Sequence, residues 1–425
     1  TLRHSLNTLT KQVDLTIPEI NFNTGRQKLF NKSNKPSFLS NLGFSYSVNS
    51  RTQLSRPDSL LFNNINKNIK SGVKHSIPIS TSFNLFNYLN ISPSLNYTER
   101  WYFKKNIQNW NDNLNEIYSD TLTGFYQLRD FNLSINASTK LYGILDFRKK
   151  TFRHVITPSI SFSYHPDFSN EFWKIYSNVQ NDSIGNQEIY SHYNGSIYGF
   201  PRAGKFGNVS FSLRNNLEMK LKNKENKKIK IVEDFSINGN YNLAVDSLNL
   251  SPIYVNIRNK ISKNFDFQMN TILDPYKISE SGVRINKLYF EDGKIGRVTS
   301  SNFNLNMKFT NLEKSKKHKY HIPWNLNLYY NISYRKPTTQ SEIIQSLNFD
   351  GEIGISKKWN LKFRSGYDLK NKDFTFTSFD IYRDLHCWEM LFNWIPFGNR
   401  KSYNFVIRVK SDILKDLKIE KKKNV

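Results

Sequence analysis

The chain has 425 residues, 15% of them aromatic, yet a mean hydropathy of −0.61 and only four methionines. Its net charge of +26 arises from 61 Lys and Arg against 35 Asp and Glu, which points either to a phosphate-bearing partner or to basic residues spread over wet surfaces. The single cysteine, Cys387, excludes an internal disulfide and a zinc site of paired thiolates, and no stretch approaches the ~18 consecutive apolar residues of a membrane-spanning helix.

The chain opens on Thr1 in ordinary polar sequence with no signal peptide, so an exported protein is expected to be processed or truncated ahead of it. From there period-two alternation dominates. Leu42, Phe44, Tyr46 and Val48 alternate with Gly43, Ser45, Ser47 and Asn49; Phe131, Leu133, Ile135 and Ala137 alternate with Asn132, Ser134, Asn136 and Ser138. The same phase returns in Val209, Phe211 and Leu213, and in Phe303, Leu305, Met307 and Phe309 against Asn302, Asn304, Asn306 and Lys308. It continues through Trp324, Leu326, Leu328 and Tyr330, then Trp359, Leu361 and Phe363, then Phe374 and Phe376, and lastly Tyr403, Phe405, Ile407 and Val409. One phase suits lipid and the other water. The expected fold is all-β, a large antiparallel transmembrane β-barrel of roughly sixteen or seventeen strands over residues 1–411, with a charged periplasmic tail over 412–425.

Long connections are expected on the outer side and short turns on the periplasmic side. Counting hairpins back from a periplasmic end places Ser50 to Gly72, Lys104 to Leu122, Pro166 to Lys205 and Pro275 to Arg297 outside. The short turns near Asn87 to Leu89, Arg148 to Thr151, Lys263, Lys357 to Lys358 and Arg383 to Leu385 fall inside, while those near Ser247 and Lys370 to Asp373 depart from the rule. Aromatics at strand ends, including Trp101, Tyr102, Phe103, Tyr329, Tyr330, Trp388, Trp394 and Phe397, are expected to form interfacial girdles.

Residues that could carry catalysis do not assemble. His318 and His321 lie among Lys316, Lys317 and Lys319, which would repel a metal; His386 and Cys387 are adjacent, and neighbours on a strand point to opposite faces. No paired carboxylates and no glycine-rich phosphate loop occur, so no enzyme, metal or cofactor is expected. Basic residues interleaved with aromatics could signal nucleic acid. Here, however, Lys220, Lys222, Lys308, Lys362, Arg364, Arg408 and Lys410 fall on the polar phase of strands, where they would line a lumen or its rims.

Particular strings add a family likeness. Ser138 to Gly143, Arg153-His154-Val155-Ile156-Thr157-Pro158 running on to Tyr164-His165-Pro166-Asp167-Phe168, and Asn216 to Lys220 resemble the LptD family. So do Asp274-Pro275-Tyr276 with Gly296 to Ser300, and Arg383 to Met390 with Phe392 to Pro396 and Tyr403 to Leu417. The resemblance runs in order over nearly all of the chain. It implies a barrel of about twenty-six strands in the outer membrane of a Gram-negative cell that takes lipopolysaccharide from a periplasmic β-jellyroll and releases it sideways between first and last strands. It also implies an LptE-type plug lipoprotein, the periplasmic Lpt bridge and the barrel-assembly machinery as partners, with outer-membrane lipid around it and no nucleic acid. The jellyroll and opening strands would lie ahead of Thr1. The final strand, Ser402 to Ser411 with Tyr403, Phe405, Ile407 and Val409, would form one side of the lateral gate. The rival readings are a porin or receptor barrel for small solutes and a secreted Asn-rich adhesin or nucleic-acid-binding β-protein.

Overall fold

A computed structural model describes residues 1–30, 39–61, 63, 65–222, 228–311, 322–398, 400–414 and 416–424. Among these, 24 strands make one large sheet beside two two-stranded ones, and every registered pairing is antiparallel. The expected alternation is the cause: Phe, Tyr and β-branched residues on one phase with Asn, Ser and Thr on the other fit a pleated surface wetted on one side. Seventeen of the described strands run eight residues or more. The surplus over that number consists of pieces such as Gln27–Lys28 and Gly43–Phe44, too short to show a period. The chain divides into two compact units.

The first unit comprises Thr1–Thr139, Ser159–Phe211 and Asn240–Asn249. Its strands Gln12–Asn23, Ser47–Pro57, Lys70–Ser80, Leu89–Asn111 and Glu116–Ser138 pair in chain order. The last two have 23 residues each, about 75 Å of strand, far beyond the ~30 Å of a hydrocarbon core. The connection expected from Lys104 to Leu122 is therefore mostly paired strand. Its turn is held by Asn111, whose side-chain oxygen accepts from the amides of Asn113 (3.0 Å) and Leu114 (3.3 Å). Residues 166–205 remain outside the large sheet and fold on themselves, with a 3-10 turn at Glu171–Trp173 and the hairpin Tyr176–Gln180/Gln187–Ser191.

The second unit comprises Lys140–Pro158, Ser212–Gly239 and Leu250–Val425. Strands Ile253–Ser262, Phe265–Asp274, Arg297–Asn311, Trp324–Arg335, Glu342–Ser356, Trp359–Asp368, Ser378–Leu385, Trp388–Ile395 and Ser402–Val409 pair each with the next. The stretch expected as a charged tail contains one more strand: Lys418–Asn424 is registered against Ser402–Val409, with Ile407 opposite Ile419. Ladder bonds need only backbone groups, so a strand with lysine on both phases pairs without showing alternation. Ser402–Val409 is accordingly flanked on both sides.

Candidate functional site: a two-faced sheet and a folded loop

The register of the second unit sorts side chains into rows across the strands. One polar row runs Thr310, Asn325, Glu352, Lys362, Asp380, Asn393, Asn404 and Lys422 over eight adjacent strands. Another runs Lys308, Asn327, Asp350 and Arg364, with the Asn327 amide donating to Asp350 at 2.8 Å. A third places Asp384, Glu389, Arg408 and Lys418 together. The expected basic residues thus share the polar phase, and most meet carboxylates. Arg408 Nε lies 2.6 Å from Glu389, Lys410 Nζ 2.6 Å from Asp384, and Lys362 Nζ 3.9 Å from Glu352. The face is wet and charge-balanced more than it is simply basic.

On the opposite phase, two rows across the later strands are aromatic and aliphatic until their last member. Phe309, Leu326, Gly351, Phe363, Phe379, Trp394 and Tyr403 form one row that ends on Lys423. Trp324, Ile353, Leu361, Ile381, Phe392 and Phe405 form the next, which ends on Lys421. Gly351 is required where it stands: a Cβ there would come within 2.6 Å of the Phe363 ring. The expected gate residues Tyr403, Phe405, Ile407 and Val409 all lie on this phase, but the strand beyond them sets ammonium groups in line with aromatic rings.

The strings that carry the family likeness fall into contacts. Arg153 donates to Glu218 at 2.8 Å, joining two of them, and His154 stands opposite Gly143 of a third. Asp274 is 1% exposed; Arg284 donates to it at 2.7 Å and Arg297 lies at 3.5 Å. Arg297 also donates to the carbonyl oxygens of Lys336 (2.7 Å) and Pro337 (3.0 Å). Gly296 fits because a Cβ would lie 2.7 Å from the Asp274 carbonyl oxygen. These residues pin a connection. His386 and Cys387 sit in the turn between Ser378–Leu385 and Trp388–Ile395, with Cys387 exposed. His318 and His321 lie outside the described residues.

In the first unit, residues 166–205 pack on the long hairpin around a core of Tyr102, Leu128, Phe168, Ile175 and Tyr193. Tyr102 therefore does not belong to an interfacial girdle: it is 2% exposed and its hydroxyl donates to Gly199 O at 2.6 Å. Tyr198 donates to Asn49 O at 3.0 Å, Tyr176 to Pro201 O at 2.6 Å, and Arg100 to Tyr198 O at 3.2 Å. Asp167 closes the loop by accepting from the amides of Ser169 and Gly204, both at 2.8 Å, and from the Ser169 hydroxyl. That hydroxyl bond, more than the others, holds the carboxyl below its ordinary range. Burial pushes Tyr193 and Tyr198 up to about 12. It pushes His192 down, and nearby Lys105 adds to the effect. Sequence reasoning missed this packing; the signal available was the density of Tyr, Phe and Trp in a supposed loop.

The model of the LptD protein family matches residues 1–276. A comparison with curated proteins finds no match. Among solved structures, the siderophore receptor PiuA of Acinetobacter baumannii is similar at 11% identity and a TM-score of 0.24, over 94% of this chain and 68% of that one. A mutant ferric enterobactin receptor of Pseudomonas aeruginosa gives 8% and 0.31 over 94% and 63%. The ferripyoverdine receptor of the outer membrane of the same organism gives 11% and 0.29 over 96% and 61%. The chain thus spans about two thirds or less of the length of these receptors. With the family model covering well over half of it, the chain belongs to the LptD family and is a β-barrel protein of the outer membrane.

Proposed function

We propose that this chain is the barrel portion of a translocon that inserts lipopolysaccharide into the outer leaflet, without a catalytic step, through a lateral opening. Family membership supports the substrate, and the register supports the route. Lipopolysaccharide joins acyl chains to a phosphorylated, sugar-bearing head, so its path needs a wet face and an apolar face side by side. The polar and aromatic rows provide that pair of surfaces.

The observation that carries the opening is the end of the aromatic rows on Lys421 and Lys423. In hydrocarbon an unsatisfied strand edge is costly, and a lysine facing lipid costs about 2–4 kcal/mol at the midplane, falling to about 0–1 kcal/mol near an interface. A seam beside Lys418–Asn424 therefore loses less on opening than one between two aromatic strands, and its ammonium groups suit phosphates in passage. The gate strand is on this reading Lys418–Asn424, one strand beyond the position read from alternation. An LptE-type lipoprotein, the Lpt bridge and the barrel-assembly machinery complete the proposed partners. Disulfides engineered between Lys418–Asn424 and the first strand of the full-length protein are expected to abolish new surface lipopolysaccharide until reduced. Unimpaired delivery with the seam fully cross-linked contradicts the gate.

A further inference from the structure

Three of the long connections, the kind expected on the outer side from their length, meet in the first unit at one cleft of about 320 Å³. It is lined by Lys70 at the start of Lys70–Ser80, by Lys104, Lys105 and Thr121 of the long hairpin, and by His192 and Asn194 of the folded loop. None of its lining residues is acidic. This sets it apart from the polar rows of the second unit, where ammonium and guanidinium groups meet carboxylates.

The cleft is held in shape by its own bonds. Asn106 N donates to His192 O at 2.8 Å, and His192 Nδ1 returns a bond to Asn106 O at 3.1 Å. Because a carbonyl can only accept, Nδ1 carries the proton, and Nε2 is left to accept from the Ser177 hydroxyl at 2.9 Å. The imidazole is thus occupied as a strut. Lys105 Nζ stands over the Tyr126 ring, 5.1 Å from its centre, which fixes the ammonium without neutralising it. Lys70 Nζ approaches Gly195, where a Cβ would lie 3.8 Å from it. Ammonium groups among amides and hydroxyls, with no carboxylate among the lining residues, make a receptor for an anion that also carries hydroxyl groups.

We propose that this cleft binds a phosphorylated saccharide, its phosphate held by Lys70 and Lys105 and its hydroxyls by the surrounding amide and hydroxyl side chains. Two sources share that chemistry: the phosphorylated core sugars of lipopolysaccharide and a free sugar phosphate in the medium. Only the first source rests on the proposed transport function.

The test is calorimetric titration of the full-length protein in detergent with three probes: glucose 1-phosphate, glucose, and a delipidated phosphorylated core oligosaccharide. Both phosphorylated probes are expected to bind, more weakly as salt rises, while glucose does not. Lys70→Gln and Lys105→Gln are each expected to weaken binding about tenfold, the loss of one charge-assisted bond. Lys294→Gln, on an exposed connection of the second unit, should change nothing, and unaltered heat-modifiable mobility on gels shows that each variant is folded. Tighter binding of the oligosaccharide assigns the source to lipopolysaccharide, and equal binding assigns it to free sugar phosphate. Glucose binding as well as its phosphate, or folded lysine variants binding unchanged, overturns the site. Surface lipopolysaccharide in the same variants is read separately, so loss of the cleft and loss of the transport reading remain distinguishable.

Discussion

Asp274 shows how a recognisable string becomes a structural part. Its buried carboxylate faces Arg284 and Arg297, so Asp274→Ala leaves guanidinium groups uncompensated and is expected to lower stability by about 3 kcal/mol. Arg284 is 43% exposed, and Arg284→Ala is expected to cost under ~1 kcal/mol. Urea titrations in lipid vesicles measure both. The folded loop should respond to pH at two residues. His192 has a lowered pKa, so the neutral form is favoured on folding; its contribution is present above the ordinary value near ~6.5 and is lost as pH falls below it. The groups around it are Lys105, Ser177, Tyr190 and Tyr193, of which Lys105 opposes its protonation. Asp167 has a depressed pKa, so its contribution is present above the ordinary carboxylate value near ~4 and is lost as pH falls through the lowered one. Amide hydrogen exchange at Asn106 and Gly204 is expected to quicken in two steps on acidification, and His192→Gln should remove the first. Protection unchanged from pH 7 to 3 contradicts both assignments. None of these partners could be read from sequence: Asp167 and Gly204 are far apart along the chain, and only folding brings them within 2.8 Å.

Among the elements, strands with a clean alternation were legible and those without were not. Phe303 to Phe309 and Tyr403 to Val409 lie on one phase as read, because each residue on that phase packs against the same phase of its neighbours. Lys418–Asn424 escaped notice because charge sits on both of its phases. The connection between Lys104 and Leu122 was mistaken for a loop because its polar residues resemble loop chemistry, although it contains no proline and a hairpin turn needs only Asn111. Two outcomes belong at this scale. Tyr102→Ala empties the core beneath residues 166–205 and is expected to cost about 3–5 kcal/mol locally, seen as faster protease cleavage within that loop. Lys421→Leu with Lys423→Leu continues the aromatic rows onto the last strand and is expected to raise stability in bilayers while slowing lipopolysaccharide delivery. A double variant that is stabilised yet delivers normally would separate the seam from the gate.

Across the whole molecule, the barrel class follows from alternation and strand length, and the family match over residues 1–276 fixes the lineage. The transport role draws on the family and on the adjoining wet and aromatic rows. The family likeness was legible because its strings stand in the sequence, whereas the proposed seam depends on a register that sequence does not display. The measurement that tests the role most directly is depletion of the full-length protein in its own cell, followed by assay of newly made lipopolysaccharide at the surface alongside uptake of small solutes. Lipopolysaccharide is expected to vanish from the surface and accumulate beneath it, with solute uptake through other channels continuing. Intact surface lipopolysaccharide with a selective loss of one solute's uptake would contradict the account and make the chain a solute barrel.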